Sequence, residues 1–211
     1  MRCTLNQENP YARPNYPVLL VISGPSGVGK DTVARKLMER RPDRFYFVVT
    51  ATTRPPRPGE IHGVDYFFYT RDEFAQMIDE EELLEYAIVY NDFKGVPKGQ
   101  IREAMASGKD VVMRVDVQGA STLRKIVPAA QFVFLTAESE EAMAQRLTDR
   151  KADHPEDIRL RVATARQELK RAVEFDYWVI NAEGRIDEAV DKLLAIIDAQ
   201  RCRIDHRPID L

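Results

Sequence analysis

The strongest constraint on this chain is Gly24-Pro25-Ser26-Gly27-Val28-Gly29-Lys30. It is a G-x-x-x-x-G-K spacing set between a short apolar run, Val18–Ile22, and a helix expected from about Lys30 to Arg40. Glycines let the backbone curl until its N–H groups converge on an anion, and the helix start adds unpaired N–H groups at the positive end of its dipole. Lys30 then supplies a fixed charge for the outer phosphates. Gly24, Ser26, Gly27, Val28, Gly29 and Lys30 are therefore candidate contacts to a polyphosphate. Asp31 stands where Ser or Thr normally offers magnesium a hydroxyl, and Thr32 follows one position late. An acid in a first helical turn is electrostatically ordinary. An unscreened carboxylate beside a triphosphate would repel it, so the sharper reading gives Asp31, with Thr32, to the metal.

A strand, a glycine loop and a helix in that order belong in an alternating α/β chain, and the rest of the sequence keeps the alternation. Phe45–Thr50, Val111–Val115, Phe132–Leu135 and Trp178–Ile180 have the composition of buried strands, each followed by a helical stretch. That is the pattern of a parallel sheet covered on both faces. The expected fold is α/β, a three-layer P-loop NTPase architecture around a central parallel sheet, with a core of 17–50, 108–138 and 167–205. Two stretches interrupt it. Residues 51–107 contain Arg54-Pro-Pro-Arg-Pro-Gly-Glu60, whose prolines fix φ and hold the chain extended. Residues 139–166 are polar, helical and rich in arginine, which suits a lid. Residues 1–16 and 206–211 are expected to be flexible tails.

Composition narrows the ligand. The 211 residues, 44% hydrophobic, suffice for one domain with a sizeable core and inserted subdomains. Thirty-one Lys plus Arg against 34 Asp plus Glu leave a net charge of −3, so no global field attracts nucleic acid or an anionic membrane. An anionic ligand must be held by a local cluster. The longest apolar run, Val18–Ile22, is far short of the roughly 20 residues of a membrane span, and the first sixteen residues lack the apolar stretch of a signal peptide. Cys3 and Cys202 have neither zinc-site nor disulfide spacing. His62, His154 and His206 are scattered like surface residues. These features describe a cytoplasmic protein without nucleic-acid or membrane partners, a monomer or homodimer acting on small molecules.

The cradle is followed by Thr50-Ala-Thr-Thr-Arg-Pro-Pro-Arg-Pro-Gly-Glu60, Gly63-Val-Asp-Tyr66-Phe, Leu84-Glu85-Tyr86 and Val115-Asp116-Val-Gln-Gly119, then by Arg146-Leu-x-x-Arg150 and Arg161. In that order and spacing the motifs closely resemble the guanylate kinases, over about residues 18–181. The resemblance implies phosphorylation of GMP to GDP, with ATP as donor and Mg2+ required. It makes 51–107 the insert that binds the nucleoside monophosphate, and 139–166 the lid. It assigns Thr50, Arg54, Arg57, Glu60, Tyr66, Glu85, Lys94, Asp116 and Gln118 to GMP. Arg146 joins the loop, Asp31 and Thr32 at ATP, and Lys30, Arg57, Arg150 and Arg161 take the catalytic roles.

The chemistry of these residue types agrees. Transfer between two polyanions needs no strong base, because the acceptor oxygen is already anionic, but it needs several fixed cations. Arginine forks on a proline-stiffened loop suit a phosphate. Guanine offers N1–H and the N2 amino group as donors, matched by the carboxylates of Glu85 and Asp116, and O6 as an acceptor, matched by the Thr50 hydroxyl.

Three positions depart from the family pattern, which has Tyr at Lys94, Ser or Thr at Val96 and an acid at Arg114. Lys94 can meet a phosphate as a cation. Val96 cannot bond to O6, a loss of about 0.5–1.5 kcal/mol. Asp31 and Arg114 together suggest that the carboxylate has moved from a strand end to the helix start, with Arg114 pairing with it, meeting a phosphate or pointing to solvent. The departures keep a deoxynucleotide or ribose phosphate open as acceptor. A non-catalytic phosphate-binding module is the remaining alternative, though it would have no reason to keep the cradle.

Overall fold

The computed structural model describes residues 16–89, 91–149 and 155–209, with the backbone alone at 149 and 155–158. Strand β1 (Leu19–Ser23) lies at the centre of a five-stranded parallel sheet. The spatial order is β2 (Phe45–Val48), β7 (Asp110–Arg114), β1, β8 (Gln131–Thr136), β9 (Tyr177–Ile180). β1 is buried along its whole length, with Leu20 and Ile22 in one apolar cluster and Leu19 and Val21 in another. Its side chains alternate between two covered faces, which is why the run is continuously apolar.

One face of the sheet is covered by helices from the two ends of the alternation and the other by helices from its middle. On one face, α1 (Lys30–Arg40) contributes Val33, Ala34 and Leu37, and α7 (Ile186–Arg201) contributes Val190, Leu193 and Ile197. On the other, α3 (Lys98–Ala106) brings Ile101 and Ala104, and α4 (Val117–Ile126) brings Ala120 and Leu123. The expected α/β architecture with a central parallel sheet is what forms.

The first interruption folds as a second, four-stranded sheet ordered β4 (Phe67–Phe68), β3 (Ala51–Thr52), β6 (Asp92–Pro97), β5 (Leu83–Val89). β5 and β6 are antiparallel, with a register shift between Leu83 and Glu85. Helix α2 (Arg71–Asp79) begins with a capping box in which the Thr70 hydroxyl accepts from the Glu73 amide, and it packs Phe74 and Met77 against Ala51 and Leu83. This sheet thus has a small core of its own. The second interruption supplies α5 (Glu140–Asp149) and α6 (Pro155–Lys170), and a 3-10 turn, Arg171–Glu174, leads into β9.

Asp110, buried at the start of β7, ties three segments together. Its Oδ1 accepts from the Val18 amide at 2.9 Å and from Arg201 Nη2 at 2.8 Å, and its Oδ2 accepts from Arg44 Nε at 3.0 Å. Of the expected tails, 1–15 and 210–211 lie outside the described residues, as do Cys3 and His154. Residues at both described ends are packed: Ile209 joins the cluster of Leu19 and Val21, and His206 Nε2 lies 3.0 Å from the Tyr16 carbonyl oxygen.

Candidate active site

The glycine loop leaves the carboxyl end of β1, where ligands collect in open parallel sheets. Gly24 has φ 136°, and a Cβ there would sit 2.0 Å from the Leu135 carbonyl oxygen. Gly29 has φ 85°, and a Cβ would sit 2.6 Å from Asn181 Nδ2. That same amide donates to the Val28 carbonyl at 2.9 Å. Both glycines are therefore fixed by conformation and by space. Val28 is fully buried, so it offers the ligand backbone alone. Lys30 opens α1, and its ammonium folds back to donate to the carbonyls of Gly24 at 2.6 Å and Pro25 at 2.8 Å. Burial pushes the Lys30 ammonium down to about 8, against the pull of Glu168 and Asp31.

In front of the loop is a cleft, partly open to solvent, walled by Gly24, Ser26 and Lys30 on one side and by Thr50, Tyr66 and Lys94 on another. Glu85 reaches it from β5. This side chain is 6% exposed, its Oε2 is buried with no hydrogen-bond partner among the described residues, and burial, then the Asp116 charge, push its carboxyl up to about 8. Asp116 lines the cleft too and caps α4, its Oδ1 accepting from the amides of Gln118 at 2.8 Å and Gly119 at 3.0 Å. Lys94 also lines the cleft; burial pushes its ammonium down, and Asp116 and Asp31 oppose that.

Arg114 is 6% exposed and does not point to solvent. Its Nη1 donates to Asp31 Oδ1 at 2.7 Å and its Nη2 to the Asp65 carbonyl at 2.8 Å, while the guanidinium lies 4.2 Å from the Tyr66 ring centroid. One side chain thus connects α1, the end of β7 and the 61–66 loop of the insert. Each of the variants Asp31→Ser and Arg114→Asp is expected to lose turnover, because the first leaves the buried Arg114 cation unmatched and the second sets a second carboxylate beside Asp31. The double variant should recover about tenfold relative to the summed losses, in the range of coupling found for contacting charges. Strictly additive turnover losses would show that the two do not act together.

Arg54 and Arg146 are held by acids. Arg54 makes a two-pronged bond to Glu60 at 2.8 and 2.9 Å and covers the Tyr66 ring at 5.2 Å, and the Arg57 amide donates to the same carboxylate at 2.7 Å. Burial works against the charged form of Glu60, but these bonds hold its carboxyl below the ordinary range. Arg146 donates to Glu138, to Glu183 and to the Asn181 carbonyl, which puts it beside the residue that clamps the loop. Arg161 Nη1 lies 3.5 Å from Ser26 Oγ. Thr32 and Gln118 are exposed and outside the cleft lining, and Arg150 lies outside the described residues. Val96 is fully buried in the cluster of Leu19 and Val21 and does not line the cleft, although Lys94 and Gly95 do.

A family model described as guanylate kinase matches residues 16–200. The chain belongs to the guanylate kinase family. It is 52% identical over 99% of its length to "Guanylate kinase 2, chloroplastic/mitochondrial" of Oryza sativa subsp. japonica, covering 73% of that protein. It is 48% identical to the guanylate kinase of Gloeobacter violaceus over 83% of this chain and 86% of the other. The crystal structure of guanylate kinase from Anaplasma phagocytophilum superposes with a TM-score of 0.73 at 28% identity, over 90% of this chain and 89% of that one.

Two side chains of this guanylate kinase site went unread in the sequence. Asn181 follows β9 directly, and its place at the carboxyl end of a parallel strand was a usable signal. Glu168 lines the cleft from α6, two helical turns after Arg161 and so on the same face, with its Oε2 buried and unpartnered among the described residues. Burial pushes its carboxyl up, and Lys30 opposes. Its sequence context, a polar helix, gave no signal.

Proposed function

We propose that this enzyme transfers the γ-phosphoryl group of ATP to GMP, giving GDP and ADP. The observation that carries the reading is that one cleft holds both a phosphate cradle with its lysine and a pair of carboxylates, Glu85 and Asp116. The cradle binds the triphosphate; Arg161, beside Ser26, stands over its outer end, with Arg146 toward the donor nucleoside. Arg54 and Arg57 take the acceptor phosphate, with the Tyr66 hydroxyl helping. Glu85 and Asp116 accept from guanine N1–H and the N2 amino group, and Thr50 donates to O6. Adenine has no donor at N1 and leaves a carboxylate unpaired, which excludes it.

The donors present suit magnesium, a hard cation that takes oxygen ligands and keeps several waters. Asp31 is the carboxylate at the helix start, and Arg114 occupies its Oδ1. Among the described residues no three His, Cys, Asp or Glu side chains cluster to hold a metal by themselves, so the phosphates of ATP would supply the other ligands. Bound there, the ion would neutralise phosphate charge. The chain's own groups orient the two nucleotides and exclude water. No described helix is long and apolar enough to cross a membrane. We assign the activity to the cytoplasm, with nucleotides as the only partners and a monomer or homodimer as the working form. The rice relative's name points to organelles instead.

An ADP-release assay with GMP, dGMP, AMP and ribose 5-phosphate tests the reading. GMP should be turned over and AMP not; no turnover with millimolar GMP would remove the assignment. The buried carboxyl of Glu85 adds a pH signature. The Glu85 carboxyl titrates at about 8, above its ordinary range, so below that pH the neutral form dominates, while guanine's donors require the carboxylate. KM for GMP should therefore fall by about fivefold from pH 7 to pH 8 and level off above, since ionising the group costs about 1.4 kcal/mol per unit below its pKa. Glu85→Gln should raise KM and flatten the profile.

A further inference from the structure

We infer that Gly119 is a specificity-determining position: the space its missing side chain leaves is where the Glu85 carboxylate is seated to meet guanine. The inference rests on the proposed role of Glu85. Gly119 is the third residue of α4, buried, and its φ lies outside the left-handed region, so its backbone does not need glycine. Alanine is the better helix former at such a place. What glycine provides is room. A Cβ on Gly119 would lie 2.8 Å from Glu85 Oε2 and 3.0 Å from both Cδ and Oε1, so the three nearest atoms it would meet all belong to that carboxyl group.

The same residue places both acids. Its amide donates to Asp116 Oδ1 at 3.0 Å, and its bare Cα lets Glu85 approach. The register shift beside Glu85 in β5 sets the direction from which the side chain arrives. The nearest atoms an added methyl group would meet are the movable end of a side chain. The fold can absorb it by swinging Glu85 away, while the amide still caps Asp116. The damage should fall on guanine recognition and leave stability intact.

The test compares Gly119→Ala, Glu85→Gln and the double variant, with KM for GMP, KM for ATP and the melting temperature measured for each. Gly119→Ala should raise KM for GMP by roughly ten- to a hundredfold, the worth of a charge-assisted hydrogen bond. It should leave KM for ATP within about twofold and melt at or above the temperature of the unaltered protein. The double variant should be no worse for GMP than Glu85→Gln alone, because one carboxylate is lost in both. If Glu85→Gln raises KM and Gly119→Ala leaves it unchanged, the inference is wrong and the guanine reading survives. If Glu85→Gln itself leaves KM unchanged, the guanine reading falls and takes the inference with it. A melting temperature for Gly119→Ala several degrees below the unaltered protein would also overturn it, since the methyl would then be straining the backbone.

Discussion

Replacing Lys30 by Met is expected to lower kcat about a thousandfold while the protein stays folded. Removing one fixed donor from a charge-stabilising site costs about 10²–10³ in rate, and the cation that meets the transferring phosphoryl group belongs at the upper end. KM for GMP should change little, because the acceptor's contacts come from the insert and the end of β7. Stability should move the other way. The Lys30 ammonium is lowered from 10.5 to about 8 by burial, so below pH 8 the folded protein carries the cost of a desolvated cation that the unfolded chain does not. That cost shrinks as pH rises from 8 toward 10.5. The ligand-free Met variant should therefore melt above the unaltered protein at pH 7, with the gap closing at high pH. Turnover equal to that of the unaltered enzyme would defeat the kinase mechanism.

The gain in stability also says what the cradle is for. Lys30 binds its own loop's carbonyls, and the nearby Glu168 has a buried oxygen without a hydrogen-bond partner among the described residues. Burial penalises both groups, one as a cation and the other as an anion. A site that keeps charges half-satisfied has binding energy in reserve for a ligand that satisfies them. Triphosphate addition should raise the melting temperature of the unaltered protein more than that of the Met variant.

How much of this the sequence disclosed depends on the range of the interaction concerned. Helix α1 spans the Lys30–Arg40 read from periodicity, and β1, β7 and β8 fall within a residue or two of the apolar runs, because a buried parallel strand must be continuously apolar. β9 forms where the Trp178–Ile180 run placed a buried strand, but it is the edge of the sheet and leaves Trp178 and Ile180 exposed. The second sheet was not read. β3 and β4 are two residues each, too short to carry a period, and β5 mixes exposed Tyr86 and Ile88 with the buried Glu85. Motif order located the cleft's Thr50, Tyr66, Glu85 and Asp116, since each belongs to a contiguous pattern. The Arg114–Asp31 pair was one of three readings, separated by 83 positions in the chain, and only packing selects it. Val96 went the other way. The residue looked like a missing base contact, but its side chain faces the core. Glu168 and the space at Gly119 depend on helices whose approach no local pattern encodes.

Asp110→Ala should destabilise the fold by about 3–5 kcal/mol, the usual result of removing one member of a buried charged network. For a domain of this length that is a melting temperature lower by about 10 °C. The carboxylate is 1% exposed, while Arg44 and Arg201 keep 24% and 28% of their side chains in solvent, so the acid carries most of the desolvation and its partners can return to water. The buried amide of Val18 cannot, and its loss of an acceptor accounts for about 1–3 kcal/mol of the total. Asp110→Asn keeps an oxygen for that amide and should cost less than Asp110→Ala, which separates the hydrogen bond from the charge. Turnover by the folded fraction should stay near that of the unaltered enzyme. Asp110 opens β7 and Arg114 closes it, a separation of about 13 Å at 3.3 Å per residue, so the clamp holds the rear of strands whose front ends carry the cradle and Asp116. A variant that melted normally but lost turnover would mean that this end of the sheet communicates with the cleft through more than the stability of the fold.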